Sequence, residues 1–337
     1  MEKELKEASY YKKLGENVQC ALCPHFCFIK QNEVGKCYIR KNINGVLYSL
    51  TYEKPAVICK DPIEKKPLYH FLPGTKSFSI GMAGCNMQCG FCQNWDLSQR
   101  GTERNVLSIN AEEIVSQVKD SKCPSISYTY SEPLVSYEYM LDIAKIARGK
   151  KIKNVMVTNG FINQEPLKEL CKYIDASNID LKSINNDFYD ITCKAKLEPV
   201  LETIKTMHKK GIWIELTNLI IPGLNDSEKD IRNLVLWVKN NLEADVPLHF
   251  SGFFPNYKMR HVEITSKEML RKAREIAVKE GIHYVYTGNV LDEEGNNTYC
   301  HKCKKLLIER RGFMIIENKI KKGKCPYCEE NIPGVWQ

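Results

Sequence analysis

The stretch Gly81-Met82-Ala83-Gly84-Cys85-Asn86-Met87-Gln88-Cys89-Gly90-Phe91-Cys92-Gln93-Asn94-Trp95 decides how the rest of the chain is read. Its three thiols, Cys85, Cys89 and Cys92, are spaced C-x3-C-x2-C and directly follow the apolar, strand-like run Phe78-Ser79-Ile80. Soft thiolates at close spacing select iron–sulfur clusters, zinc or copper(I) over harder ions. The count is the informative part. A structural zinc or a passive electron carrier takes four ligands, which closes the site. Three thiols leave one corner of a four-iron cluster without a protein ligand, free to bind a substrate. The plain alternatives are three thiols in a glycine-rich turn, or three-quarters of a zinc site whose fourth ligand lies elsewhere. Either would make both the spacing and the strand-then-loop context accidental.

The remaining cysteines point the same way. Eleven of the fifteen fall in three tight clusters within a chain of 337 residues. The N-terminus, Met1-Glu2-Lys3-Glu4-Leu5-Lys6, carries no apolar signal core, so metal binding in a reducing cytoplasm is expected rather than disulfides. Cys59, Cys123, Cys171 and Cys193 are scattered and read as small buried residues. No run of eighteen apolar residues occurs, so no membrane span is expected. The net charge of +8 is spread over distant pairs such as Lys65-Lys66, Lys209-Lys210 and Lys321-Lys322. Diffuse charge of this kind marks solvated faces rather than a nucleic-acid groove.

The middle of the chain alternates strand and helix from about Thr75 to Gly288. Strand-like runs stand at 77–80, 125–130, 155–158, 178–181, 213–220 and 247–250, with a shorter one at 284–286. Between them, Asn110 and Glu113 form a capping-box pattern, as do Thr265 and Glu268. Gly211 and Gly281 stand where left-handed helix ends are expected. Apolar strands alternating with amphipathic helices predict an α/β fold, a partial (β/α)6 TIM-like barrel over residues 75–290. Barrel chemistry collects at the carboxyl ends of strands. Those ends carry Glu132, Thr158-Asn159-Gly160, Asp180 with Lys182, Thr217 and His249. His249 is read as readily as a satisfied barrel histidine as a catalytic one.

Two thiol modules flank the barrel. Residues 1–74 begin with a lysine-rich arm, read as a short helix or loose segment. Cys20, Cys23, Cys27 and Cys37 follow, able to close around one ion, with zinc the first choice and a second iron–sulfur cluster the alternative. His25 is read as a neighbour of that site rather than a ligand. Asn44-Gly45 marks a hairpin turn, and the proline-bearing segment from Lys54 to Pro73 a linker. Residues 291–337 carry Cys300, Cys303, Cys325 and Cys328 as two C-x2-C knuckles, the spacing of a zinc ribbon.

On these residues the chain resembles the radical S-adenosylmethionine (SAM) enzymes, in which C-x3-C-x2-C follows the first barrel strand and SAM caps the open iron. Tyr128-Thr129-Tyr130-Ser131-Glu132-Pro133, Thr158-Asn159-Gly160, Asp180-Leu181-Lys182 and Ile221-Pro222-Gly223-Leu224-Asn225-Asp226 look like motifs of the activating enzymes for pyruvate formate-lyase and related glycyl-radical enzymes. The flanking Cys-x2-Cys-Pro-His-x-Cys, Tyr286-Thr287-Gly288-Asn289-Val290 and the C-terminal Ile332-Pro333-Gly334-Val335-Trp336 resemble the radical SAM component of the AmmeMemoRadiSam system over nearly the whole chain. Ser131 departs from the glycine found there in many members.

The resemblance implies a [4Fe-4S] cluster on Cys85, Cys89 and Cys92 that cleaves SAM reductively to a 5′-deoxyadenosyl radical. It places Phe91 by the adenine, and Glu132, Asn159, Asp180, Lys182 and Thr217 around SAM. It also implies an electron donor such as flavodoxin or ferredoxin and a partner or substrate protein. The substrate is a peptide or small molecule in one reading. In another it is a glycyl-radical enzyme. A zinc-ribbon protein that binds nucleic acid is the non-enzymatic alternative, resting on Arg310-Arg311-Gly312-Phe313 alone.

Overall fold

The computed structural model describes residues 5–100 and 108–336. Met1–Glu4 of the expected N-terminal arm lie outside the described residues. The centre is an eight-stranded sheet in sequential order: β1 (Val57–Pro62), β2 (Lys76–Gly81), β3 (Ser125–Tyr128), β4 (Lys153–Thr158), β5 (Ala176–Asp180), β6 (Trp213–Ile220), β7 (Leu248–Gly252) and β8 (Val285–Gly288). From β2 onward every neighbouring pair is parallel; β1 alone runs antiparallel, against β2. The sheet is open, with β1 and β8 at its edges, which makes the expected α/β arrangement an unclosed barrel. The segment read as a linker therefore supplies an edge strand. Pro62 stands at the last position of β1, where its missing N–H interrupts little of the ladder.

Six helices cover the outside: α1 (Ala111–Ser121), α2 (Tyr137–Gly149), α3 (Gln164–Leu170), α4 (Leu197–Lys209), α5 (Glu228–Asn241) and α6 (Lys267–Lys279). Their starts follow local chemistry. Asn110 and Glu113 form the reciprocal capping box on α1. The α6 cap is one residue later than the sequence pattern: Ser266 accepts from Met269 N, while Thr265 accepts from Phe253 N and donates to Ile220 O. Gly211 and Gly281 take the left-handed conformation past the ends of α4 and α6. Ile126, Ile179, Leu216 and Phe250 are fully buried in the main core, while Val155 is buried in a separate cluster with Ile63, Leu68 and Phe71.

The N-terminal module is built from short strands, which corrects the expected helix or arm. Tyr11–Leu14 pairs with Asn17–Cys20 across a turn at Gly15, and Lys6–Glu7 adds to the Val46–Ser49 strand. Lys12 and Lys13 are exposed, and Val18 and Cys20 point inward, so the lysines ride on an edge that the buried strand holds in place. The expected hairpin Arg40–Ile43 to Val46–Ser49 is present, with Asn44 and Gly45 both at positive φ.

The C-terminal module packs on β8 and on the segment Tyr69–Leu72. Val335 exchanges backbone hydrogen bonds with His70 and Leu72, both at 2.7 Å. Arg310, the first residue of the stretch on which the nucleic-acid alternative rests, is buried: it donates to Tyr69 O at 2.9 Å and to Thr298 Oγ1 at 2.8 Å, and its guanidinium lies 4.3 Å from the Tyr69 ring centroid. A cation held this way has no free face for phosphates. Among the described residues, no helix is long and apolar enough to cross a membrane.

Candidate functional site

The loop after β2 is shaped by backbone that tolerates no side chain. A Cβ on Gly81 would stand 2.9 Å from the Tyr130 ring, and one on Gly84, at φ +94, would meet Cys37 O and Ile39 Cγ2 at 2.7 Å. The loop is then anchored across the strand tops: Gln88 N donates to Cys193 O at 2.9 Å, Gly90 N to Thr192 O at 3.1 Å, and Asn94 Nδ2 to Tyr130 O at 2.7 Å. These bonds hold Cys85, Cys89 and Cys92 over the carboxyl end of the sheet.

One cavity of about 530 Å³ opens there. Cys85, Cys89, Cys92, Phe91, Glu132, Asn159, Asp180, Lys182 and Thr217 all line it, so the structure brings together every residue the sequence placed at this site. His249 does not line it. Its Nε2 donates to Glu215 at 2.6 Å, and Glu215 also accepts from Tyr69 N, His70 N and Trp213 Nε1. His249 is thus the satisfied barrel histidine.

The polar groups of the cavity are held in specific states. Glu132 is buried and accepts from Thr158 Oγ1, Asn159 N and Leu134 N, so its carboxylate ties the end of β3 to the end of β4. Burial pushes its pKa up to about 7 against the pull of those three donors. Lys182 Nζ bonds Asp180 at 2.7 Å. Burial works against its charge, but Asp180 with the Cys89 and Cys193 thiols holds its pKa well above the usual lysine value. Thr217 donates to Asn178 Oδ1 at 2.9 Å. Asn159 Nδ2 points at Cys85 Sγ from 3.6 Å, and the Ser98 hydroxyl lies 3.2 Å from Cys92 Sγ.

Burial pushes the Cys85 and Cys92 thiols up. Cys89 is drawn down, first by a hydrogen bond from Cys193, then by Lys182 against its own burial. Cys193, read as a scattered buried residue, is buried but lies against the triad. Cys123 is buried as expected, whereas Cys59 and Cys171 are only partly so.

A second group had no sequence signal. Lys65, Lys66 and Tyr130 also line the cavity, and Asp61 on β1 binds all three: Lys66 Nζ at 2.6 Å, Lys65 Nζ at 2.9 Å, and the Tyr130 hydroxyl. Although Asp61 is itself buried, these partners keep its carboxyl well below the usual range. Phe313, at the tip of the C-terminal hairpin, completes the lining. Only the antiparallel return of β1 brings Asp61 here, and no local pattern announces that pairing.

The two kinds of thiol site differ in size. Cys300, Cys303, Cys325 and Cys328 have all four sulfurs within 4.8 Å of one another, with Cys300–Cys328 and Cys303–Cys325 at 3.7 Å. A tetrahedral ion with bonds of about 2.3 Å needs sulfurs about 3.8 Å apart. No such contraction occurs among Cys85, Cys89 and Cys92. Thiolates on a four-iron cubane stand on the order of 6 Å apart. With a cavity of about 530 Å³ beside them, Cys85, Cys89 and Cys92 have room for a group larger than a single ion, and would be the ligands of a [4Fe-4S] cluster.

The profile of the radical SAM superfamily matches residues 79–235, which span the triad and strands β3 to β6. An uncharacterized protein of Methanocaldococcus jannaschii is 49% identical over 332 residues, covering 97% of this chain and 99% of its own. The chain belongs to the radical SAM superfamily. The pyruvate formate-lyase-activating enzyme of Clostridium pasteurianum is 27% identical over 59% of this chain and 89% of its own length. Among solved structures, a radical SAM methyltransferase from Sphaerobacter thermophilus shares the fold, with a TM-score of 0.52 at 18% identity over 70% of this chain and 71% of that one. Members of the superfamily are enzymes that cleave SAM, and membership implies a [4Fe-4S] cluster and SAM as cofactors.

Proposed function

We propose that this radical SAM enzyme is the radical-generating component of an AmmeMemoRadiSam-type system, abstracting hydrogen from a protein, peptide or small-molecule substrate. The observation that carries the reading is the single cavity in which the triad, the polar strand ends and the tip of the C-terminal module meet. Bound there, the cluster and SAM would supply one-electron reductive cleavage of the SAM carbon–sulfur bond, the source of the radical that abstracts hydrogen.

The chain's own groups position and shield. Cys85, Cys89 and Cys92 would hold the cluster, and the open cavity beside them leaves room for SAM. Lys182, charged and fixed by Asp180, faces Phe91 with its Nζ 5.7 Å from the ring centroid, on the side assigned to the nucleoside. Asn159 supports both Cys85 and the loop, since its Nδ2 also bonds Asn86 Oδ1 at 2.9 Å. Glu132 acts through Thr158 and Asn159, orienting the strand end that borders SAM. Thr217 completes the wall. No general base is assigned, because hydrogen abstraction needs none.

Lys65 and Lys66 place two ammonium groups at the substrate side, and Phe313 adds an apolar rim. The contracted C-terminal thiols support a structural Zn2+ there. A cytoplasmic setting with flavodoxin or ferredoxin as electron donor fits the eleven clustered thiols. The resemblance to activating enzymes favours a second reading, installation of a glycyl radical on a partner enzyme.

The two are separated by incubating the reconstituted enzyme and SAM with deuterated partner proteins of such a system. Deuterium transferred to 5′-deoxyadenosine, without a persistent glycine-centred radical, supports the first reading. A persistent glycine-centred radical signal establishes the second, and no transfer from any partner rules out a partner protein as the substrate.

A further inference from the structure

The cavity holds two sets of cations, and they are built differently. Lys182 is matched by its own acid, Asp180, and is the cation that acts on the Cys89 and Cys92 thiols. Lys65 and Lys66 follow β1, at the open edge of the sheet, and share the single acid Asp61. That carboxylate is already full. Its Oδ1 accepts from Lys65 Nζ, while Oδ2 takes Lys66 Nζ, Ser79 Oγ at 2.8 Å, Cys59 Sγ at 3.3 Å and the Tyr130 hydroxyl. A carboxylate offers about four lone-pair sites, whereas two ammonium groups bring about six N–H donors. Among the described residues, Asp61 is the hydrogen-bond acceptor for both lysines, and beyond it Lys66 Nζ has the Tyr130 ring, 4.5 Å from its centroid. The acids that line the cavity cannot make up the difference. Glu132 is committed to Thr158, Asn159 and Leu134, and Asp180 to Lys182. Two cations against one acid leave a surplus of positive charge and of donors.

The surplus sits on a built framework. The Lys66 side chain is 2% exposed. Burial pulls its pKa below the usual lysine value, and Asp61 draws it back up. Tyr130 holds φ at +75, an uncommon backbone for an aromatic residue, and its ring runs past Gly81, where a Cβ would stand 2.9 Å away. Its hydroxyl thereby reaches Asp61. Neutralising Asp61 requires Lys66 alone. Lys65, with a side chain 45% exposed, adds a second charge at the same acid and lines the same cavity. Asn289 beyond β8 and Phe313 on the C-terminal hairpin also line it, so the cavity reaches both open edges of the sheet.

Resting on the assignment of this cavity to hydrogen abstraction, we propose that Lys65 and Lys66 anchor a carboxylate or phosphate oxyanion of the substrate. The oxyanion supplies the acceptors that Asp61 lacks, at the open edge of the sheet and apart from the residues assigned to SAM.

The test is calorimetric titration of inorganic phosphate, and separately of acetate, into the full chain reconstituted with its cluster and loaded with SAM. Saturable oxyanion binding is expected, and the tighter of the two probes names the group. Lys65→Met weakens that binding about 10-fold, as loss of one charged hydrogen bond requires. Lys65→Arg retains it, and SAM titrates alike in all three proteins. Lys66 still pairs with Asp61 in both variants, so the fold is kept. Binding of neither probe, or equal binding by the parent and Lys65→Met, overturns the proposal. Loss of SAM affinity in Lys65→Met also overturns it, because Lys65 would then belong to the SAM site. Titration needs no turnover. Absence of 5′-deoxyadenosine would therefore overturn the function proposed above while leaving oxyanion binding intact, which tells the two failures apart.

Discussion

The C-terminal ribbon and the radical SAM site are both thiol sites, yet they are built oppositely. The ribbon has four sulfurs drawn together on two knuckles, two of them partly exposed, in a module of short strands. The radical SAM site has three sulfurs held apart over a barrel mouth, where burial pushes two of the thiols up. In the first, the four sulfurs stand close enough to share one ion, and a module of short strands is the kind that an ion stabilises. In the second, the barrel makes the fold and the ligands leave room for chemistry. Four compact sulfurs in one module and three beside an open cavity in the other therefore suit different tasks within one chain.

Metal removal separates the two sites most sharply. Chelating the ribbon ion, or Cys325→Ser, removes binding free energy on the order of 10 kcal/mol and unfolds residues from about 298 onward. Hydrogen exchange should lose protection there and in Tyr69–Leu72, while α1 to α4 stay protected. Cys89→Ala, in contrast, should leave the same amides protected. Equal loss of protection from both changes would break the comparison.

The barrel mouth depends on charge rather than on metal for its shape. Asp61→Ala leaves Lys66 buried and unpaired, and breaking a buried pair from one side costs about 3–5 kcal/mol. Denaturant unfolding of the metal-free chain measures it, and a loss below about 1 kcal/mol would show the pair to be solvated. Because its partners hold the Asp61 pKa below the usual range, its contribution is present above that range and is lost only as pH falls through the depressed value.

Glu132 has the opposite sign. Its pKa rises from 4.5 to about 7 in the folded chain, so its favourable contribution is complete below 4.5 and is lost as pH climbs through 7. Metal-free protein should lose on the order of 3 kcal/mol across that window. Glu132→Gln should flatten the slope, and an unchanged slope would assign it to other groups.

The smallest effect concerns SAM itself. Lys182→Met removes a charged donor from the cavity and should weaken SAM binding by about 10- to 100-fold, as loss of a charged hydrogen bond of about 1.5–3 kcal/mol requires. Isothermal titration with the reconstituted protein reads it. Unaltered affinity would confine Lys182 to its pair with Asp180.

Much of the mouth was legible because its signals are local. C-x3-C-x2-C after a strand, and polar residues at Glu132, Asn159, Asp180 and Thr217 where apolar strands end, need no knowledge of distant pairing. The Asp61–Lys66–Tyr130 group was illegible because its members meet only through the antiparallel pairing of β1 with β2. The N-terminal strands were hidden because Lys12 and Lys13 occupy an exposed edge, where composition resembles a loose arm. Thr265 misled by one position, its hydroxyl being committed to Phe253 and Ile220 instead of the helix. Ligand type could be read from cysteine count; the close grouping of the C-terminal sulfurs and the cavity beside the triad required the fold.

The central claim is that Cys85, Cys89 and Cys92 form an open cluster site for SAM. Anaerobic reconstitution with iron and sulfide, reduction, and addition of SAM should yield 5′-deoxyadenosine and methionine in equal amounts, falling to background in Cys89→Ala. Absence of 5′-deoxyadenosine from the reconstituted protein, or its undiminished formation in Cys89→Ala, would contradict the account.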